Sequence, residues 1–169
     1  MNTDAIYGKE FTYRDNIPPE EMAEKAFLNY DQEFQSIAQT GDILVGGWNF
    51  GSGSSREQAA TTLKYRGIQL VIAGSFSQTY KRNAFNNGFI ALECQELVSW
   101  LKEQNRDDAP LTIRTGLSAR LDFSSSIISC GERRFPFSPL GSVAQRLIIK
   151  GGFEPLIEEQ IRNSQGTTV

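Results

Sequence analysis

The run Asn49-Phe50-Gly51-Ser52-Gly53-Ser54-Ser55-Arg56-Glu57-Gln58 is the most informative in the chain, because its residue types suit the capture of an anion. Glycines let backbone N–H groups approach a ligand with no Cβ in between, and a helix N-terminus placed after them adds partial positive charge. Arg56 can grip a carboxylate through two parallel hydrogen bonds. A second reading needs no ligand. Ser54-x-x-Glu57 has the spacing of a capping box, in which each side chain satisfies the other residue's backbone amide. Spacing alone leaves the two readings level. The run does not fit a Walker A loop, which needs lysine after the last glycine, or the G-x-S-x-G elbow of serine hydrolases.

Composition narrows the chemistry further. Histidine is absent, which removes imidazole metal ligation, histidine general bases and Ser-His or Cys-His activation together. Cys94 and Cys130 are far apart in the chain and form no ligand spacing, so no metal site is expected and both read as reduced, buried thiols. A formal charge of -3 gives no broad basic field, which disfavours nucleic acid as a partner. Trp48, Phe50 and Phe76 could stack on bases, but aromatic residues beside strands belong more often to a core. The longest apolar runs are far too short to cross a bilayer and the opening residues carry no signal-peptide pattern, so a soluble protein with no membrane partner is expected.

These groups must be positioned by the elements around them. At 169 residues the chain suits one domain, able to bury about 70% of its unfolded surface without disulfides. After an irregular opening, Pro18-Pro19 followed by Glu20 and Glu21 predicts a short helix to about Phe27. Residues 42–47 read as a buried strand that feeds the serine-rich run, and residues 57–66 as the helix after it, with Gly67 as its stop. Strands at 68–73 and 89–93 alternate with helices at 76–85 and 96–104, which predicts a largely parallel sheet. Beyond Pro110 the segments 111–114, 119–123, 126–129 and 133–137 read as short antiparallel strands. Two helical pieces, 139–149 and 154–162, meet at Gly151-Gly152, and residues 167–169 read as a frayed tail. A functional loop beginning at Met1-Asn2-Thr3-Asp4 with no strand to support it suggests a domain excised from a longer chain.

The combination of NFGSGSSREQ, then LKYRGIQLVIAGSFSQTYKRNAFNNGFIALE, with TDAI near the start, resembles the swivel domain of the aconitase superfamily over nearly the whole chain. Within it the likeness is to the branch holding homoaconitases and the small subunit of 3-isopropylmalate dehydratase. Gln58 stands where many members have histidine, which favours that branch over citrate-specific aconitases. The resemblance implies an α/β fold, a three-layer β/β/α swivelling domain with mixed sheet and helices. It implies a hydro-lyase whose four-iron, four-sulfur cluster is bound outside this chain. The partners would be the cluster-bearing domains or a large subunit, and the substrate a small tricarboxylate or dicarboxylate.

By the same resemblance Ser54 is the base that removes a carbon-bound proton, and Ser55 and Arg56 bind substrate carboxylate. A serine hydroxyl is a poor base near neutral pH, so that role demands preorganised donors around it. Thr3 and Asp4 match a pair at the active-site edge; otherwise they form a simple turn. Arg14, in the loop 11–15, occupies the position that reads the far end of the substrate; otherwise it is a solvated surface arginine. A positive group there suits the extra carboxylate of homoaconitate in lysine biosynthesis better than the isopropyl group handled in leucine biosynthesis. Arg82, Asn83, Asn86 and Gly88 read as helix-end scaffolding. The homoaconitase reading carries a mitochondrial-matrix location, and the alternative a cytoplasmic one. A reading of another class, a non-catalytic anion-binding module, also remains open.

Overall fold

A computed structural model describes residues 1–14, 16–105 and 110–165; the tail at 167–169 lies outside them. The opening segment is not irregular throughout. It forms a single helical turn, α1 (Thr3–Ile6), because the Asn2 side chain caps it by accepting from Ala5 N–H at 2.8 Å. A 3₁₀ turn at Lys9–Phe11 follows, then α2 (Pro19–Glu24) with proline in its first turn and Glu20 and Glu21 complementing its positive end. α2 ends before the expected Phe27. That residue takes a left-handed backbone (φ 60°), is buried, and donates its N–H to Ile6 C=O at 2.9 Å, tying the segment after α2 back to α1.

After α3 (Phe34–Ile37), the alternation expected from the apolar runs is present: β1 (Ile43–Gly46), α4 (Gln58–Tyr65), β2 (Leu70–Ala73), α5 (Gln78–Asn86), β3 (Ile90–Glu93) and α6 (Gln95–Gln104). The three strands form one parallel sheet in the order β1-β2-β3, with Ile43, Leu70 and Ile90 in register. A second sheet, antiparallel, is built from β4 (Ala119–Asp122), β5 (Ile127–Cys130) and β6 (Arg133–Pro136). α7 (Ser142–Lys150) stops at Gly151, left-handed at φ 83°, and α8 (Phe153–Gln165) follows the glycine pair.

The layers follow from the alternation of side chains along β2, all of whose residues are buried. Val71 and Ala73 face a core shared with Ala59, Ala60 and Leu63 of α4 and Tyr80 and Ala84 of α5. Leu70 and Ile72 face the opposite core, shared with Leu97 of α6 and with Ile128, Cys130 and Phe135 of the antiparallel sheet. The parallel sheet is therefore the middle layer of the β/β/α sandwich, and the helices that approach the serine-rich run lie on one side of it.

One expected strand does not form. Residues 111–114 alternate as a strand should, yet Leu111 and Ile113 are exposed, and the segment pairs with no strand among the described residues. It is held instead by a side chain. Arg114 pairs with both carboxylate oxygens of Asp42 (2.8 Å to Oδ1) and donates to Ile37 C=O at 3.2 Å, strapping the link between α6 and β4 to the entry of β1.

The Arg114 hydrogen bonds lower the Asp42 pKa below the ordinary carboxylate range. A depressed folded-state pKa stabilises the fold above the unfolded value of about 4 and loses that contribution as pH falls through the folded value. The pair is partly exposed, so the contribution is small and screened by salt. Thermal melts should show wild type exceeding Arg114→Gln by a constant margin down to about pH 5, with the margin closing at lower pH; a margin independent of pH would contradict this role.

Candidate functional site

β1 delivers the chain to residues 48–57 at the C-terminal edge of the parallel sheet, where ligands of open α/β sheets bind. Asn49 accepts a left-handed backbone there (φ 53°), as asparagine does more readily than most residues, and Gly51 does the same at φ 72°. Gly51 is required for a second reason: a Cβ at that position would overlap the Tyr80 ring of α5. Isolated bridges join Phe50 to Phe76 and Ser52 to Asn2, so the loop lies between the β2–α5 connection and the chain's first residues.

The capping box does not form. α4 begins at Gln58, no side chain caps it, and Glu57 instead accepts from Asn87 Nδ2 at 2.6 Å, thirty residues away. Ser54 and Ser55 are exposed, and among the described residues no acceptor meets the backbone N–H groups of Ser54, Ser55 or Arg56. The loop thus offers hydroxyls and unspent amide donors at the positive end of a helix, an arrangement suited to a carboxylate or an oxyanion.

Arg56 fixes that arrangement. Its side chain is only 14% exposed, and the guanidinium pairs with Asp4 and donates to Tyr7 C=O at 3.0 Å, bracketing α1. Thr3 N–H donates to Ser52 C=O at 2.8 Å, and the buried Thr3 hydroxyl, without a partner among the described residues, sits against Gly53. Thr3 and Asp4 are therefore held beside the loop that carries Ser54, Ser55 and Arg56. Part of the Arg56 fork is committed within the protein, leaving its remaining N–H groups for a ligand.

Arg14 stands apart from that cluster. It is mostly exposed and paired with Glu21 of α2, in a small recess also lined by Tyr7, Phe11, Ile17 and Lys25. The link between recess and serine loop is Tyr7, which lines the recess; its carbonyl binds Arg56, and its buried hydroxyl has no partner among the described residues. Burial raises the Tyr7 phenol pKa, with Glu21 adding to the effect and Arg14 opposing it. Tyr7 and Glu21 gave no signal in the sequence, since their roles depend on long-range placement.

α5 supplies the remaining contacts. Ser77 Oγ donates to Gly51 C=O at 2.6 Å and Asn83 Nδ2 to Ser55 C=O at 3.1 Å. Phe50 and Phe76 are buried and packed edge-to-face with each other, with Tyr80 completing the group, which makes them core and not a platform for bases. Trp48 lies over Gly74 at the opposite edge of the loop.

Cys94 and Cys130 are both free and buried in the core between the sheets, and burial raises both thiol pKa values. Among the described residues no group of three or more His, Cys, Asp or Glu side chains is gathered as a cation or cluster site would require. The residues present do not fit a four-iron cluster. No helix among the described residues is long and apolar enough to cross a membrane.

Comparison with known proteins agrees with this geometry. A family model described as the aconitase C-terminal domain matches residues 2–97. Proteins named "Homoaconitase, mitochondrial" are similar over nearly the whole chain: that of Debaryomyces hansenii is 40% identical over 96% of it, and that of Candida glabrata 44% identical over 95%. The chain spans about a quarter of the length of these curated relatives. Among solved structures, the 3-isopropylmalate dehydratase leuD of Methanocaldococcus jannaschii superposes with a TM-score of 0.78 at 28% identity, covering 98% of this chain and 91% of that one. With its layered fold, its serine-arginine loop and a family match over more than half its residues, the chain belongs to the aconitase C-terminal domain family.

Proposed function

We propose that the chain is the swivel domain of a homoaconitase, a hydro-lyase that reversibly hydrates homoaconitate to homoisocitrate. The observation that carries the reading is the uncapped Ser54-Ser55-Arg56 loop, braced by Asp4, in a chain about 40% identical to homoaconitases along nearly its full length. Its partners are the cluster-bearing domains of the same enzyme, its substrate is a small tricarboxylate, and the word mitochondrial in the relatives' names goes with a mitochondrial setting.

In this reading, in the dehydration direction, Ser54 Oγ, held as an alkoxide, takes the carbon-bound proton and becomes the hydroxyl, while the electron pair of the broken C–H bond forms the C=C bond as the hydroxyl on the neighbouring carbon leaves as hydroxide. In the reverse direction Ser54 returns that proton. The free amides of the loop and the α4 N-terminus stabilise the alkoxide, while Ser55 and the spare N–H groups of Arg56 hold a substrate carboxylate. Thr3 and Asp4 set the edge of the site, Asp4 by holding Arg56. Arg14 reads the distal carboxylate, which must first take the place of Glu21. The cluster of the family lies outside this chain, on the partner domains, and would there bind the substrate hydroxyl.

The leuD likeness supports a second reading, a small subunit of 3-isopropylmalate dehydratase that works with a large subunit, since that solved chain is matched over 91% of its own length. Arg14 favours the first reading because an isopropyl group gives a guanidinium nothing to bind.

In the complete, cluster-loaded enzyme, Ser54→Ala should lower kcat on homoaconitate by about 10²–10⁴-fold, the usual size of a general-base contribution. Wild-type turnover in that variant would make Ser54 a loop residue and leave only anion binding. Arg14→Ala should raise KM for homoaconitate about tenfold or more while leaving isopropylmaleate unaffected, as expected for loss of a charge-assisted hydrogen bond. Turnover of isopropylmaleate alone would assign the chain to the second reading.

A further inference from the structure

We infer that Asn83 and Asn87, near the end of α5, are positioning residues that aim the Ser55–Arg56 peptide at the bound anion and hold the Glu57 carboxylate away from Ser54. The inference rests on Ser54 as the base and extends the site to a helix whose asparagines otherwise read as scaffolding.

Three side chains of the α5 region hold the loop at three points. Ser77, the α5 N-cap, donates to Gly51 C=O at 2.6 Å, Asn83 to Ser55 C=O at 3.1 Å, and Asn87 to Glu57 Oε1 at 2.6 Å. Asn87 is itself fixed: its Nδ2 also donates to Asn83 C=O at 2.9 Å, and its own carbonyl accepts from Lys64 Nζ of α4 at 2.7 Å. α5 has little room to slide, because a Cβ at Gly51 would overlap Tyr80 and one at Gly88 would overlap the backbone of Gly151 after α7.

The consequence for the anion follows from peptide geometry. All peptide bonds among the described residues are trans, so the Ser55 carbonyl and the Arg56 N–H point in opposite directions. Pinning the carbonyl on Asn83 turns the N–H away from α5, on the side where no acceptor among the described residues takes it. Released from Asn83, the peptide could rotate and present a carbonyl oxygen to the alkoxide in place of a donor. Glu57 raises the same problem as a full charge: a free carboxylate three residues from Ser54 would oppose a second anion. Asn87 takes that carboxylate to the α5 side, which is also why the capping box is absent.

The test uses the complete, cluster-loaded enzyme with homoaconitate and the variants Asn83→Ala, Asn83→Asp and Asn83→Gln. Loss of this single donor should lower kcat about five- to fiftyfold with KM changed less than about threefold. The acid limb of the kcat profile should move to higher pH, because a less stabilised alkoxide has a higher pKa. Asn83→Asp keeps the size of the side chain but loses the donor, and should behave like Asn83→Ala; Asn83→Gln keeps a donor and should recover much of the rate. Unchanged kcat in both Asn83→Ala and Asn83→Asp, or a loss that follows the melting temperature with an unmoved acid limb, would overturn the inference. If Ser54→Ala is inactive while these variants keep the wild-type profile, the positioning role alone fails; if Ser54→Ala keeps full rate, the base reading fails with it.

Discussion

The arrangement depends first on the Arg56 guanidinium. The side chain is largely buried, and part of its fork is met by two groups at one short helix, the Asp4 carboxylate on α1 and the carbonyl of Tyr7 just after it. A buried charge deprived of its acceptors is costly, so the first turn of the chain and the loop ahead of α4 must stay together for either to be stable. This is why a single turn at Thr3–Ile6, far too short to persist as an isolated helix, forms here. It is also why the serine loop has no need of its own cap. Held through Arg56 by Asp4 and Tyr7, and from outside by Asn2, Ser77 and the two asparagines, it leaves its amide donors unspent.

The sheet determines where that loop is offered. Because β1, β2 and β3 are parallel, the connections leaving them toward α4 and α5 emerge at one edge, and the Phe50–Phe76 bridge joins those connections directly. The two-faced burial of β2 then divides the labour. One face carries the helices that position the site, and the other is sealed by the antiparallel sheet and by both cysteines. Among the described residues the second sheet makes no hydrogen bond to the serine loop; its structural contribution is to cover the face that the site does not use.

The parallel layer was legible in the sequence because each of its strands is a short apolar run bounded by turn residues, and each connecting helix has its own apolar spacing. The antiparallel layer was legible for β4, β5 and β6 and misread at 111–114. There the alternation Leu-Thr-Ile-Arg satisfied a strand pattern, while the decisive contact, Arg114 to Asp42, spans seventy-two residues. The capping box failed for a similar reason. Ser54 and Glu57 have the right spacing, but Asn87 outcompetes the local bond. Arg14 stood out only as a charged loop residue, whereas its pairing with Glu21 depends on how α2 folds back beside it. Residue types and the family resemblance therefore singled out the candidate groups, and long-range hydrogen bonds decide how they are held.

The most direct test of the central claim separates the geometry of Arg56 from its charge. Arg56→Lys keeps the positive charge but lacks the planar fork that spans Asp4 and Tyr7 C=O and still presents donors to a carboxylate. Measured as kcat/KM on homoaconitate in the complete enzyme, the account predicts a fall of about a hundredfold or more, equivalent to the loss of about two charge-assisted hydrogen bonds. Activity within about threefold of wild type would mean that charge alone suffices and that the Arg56 brace does not build the site.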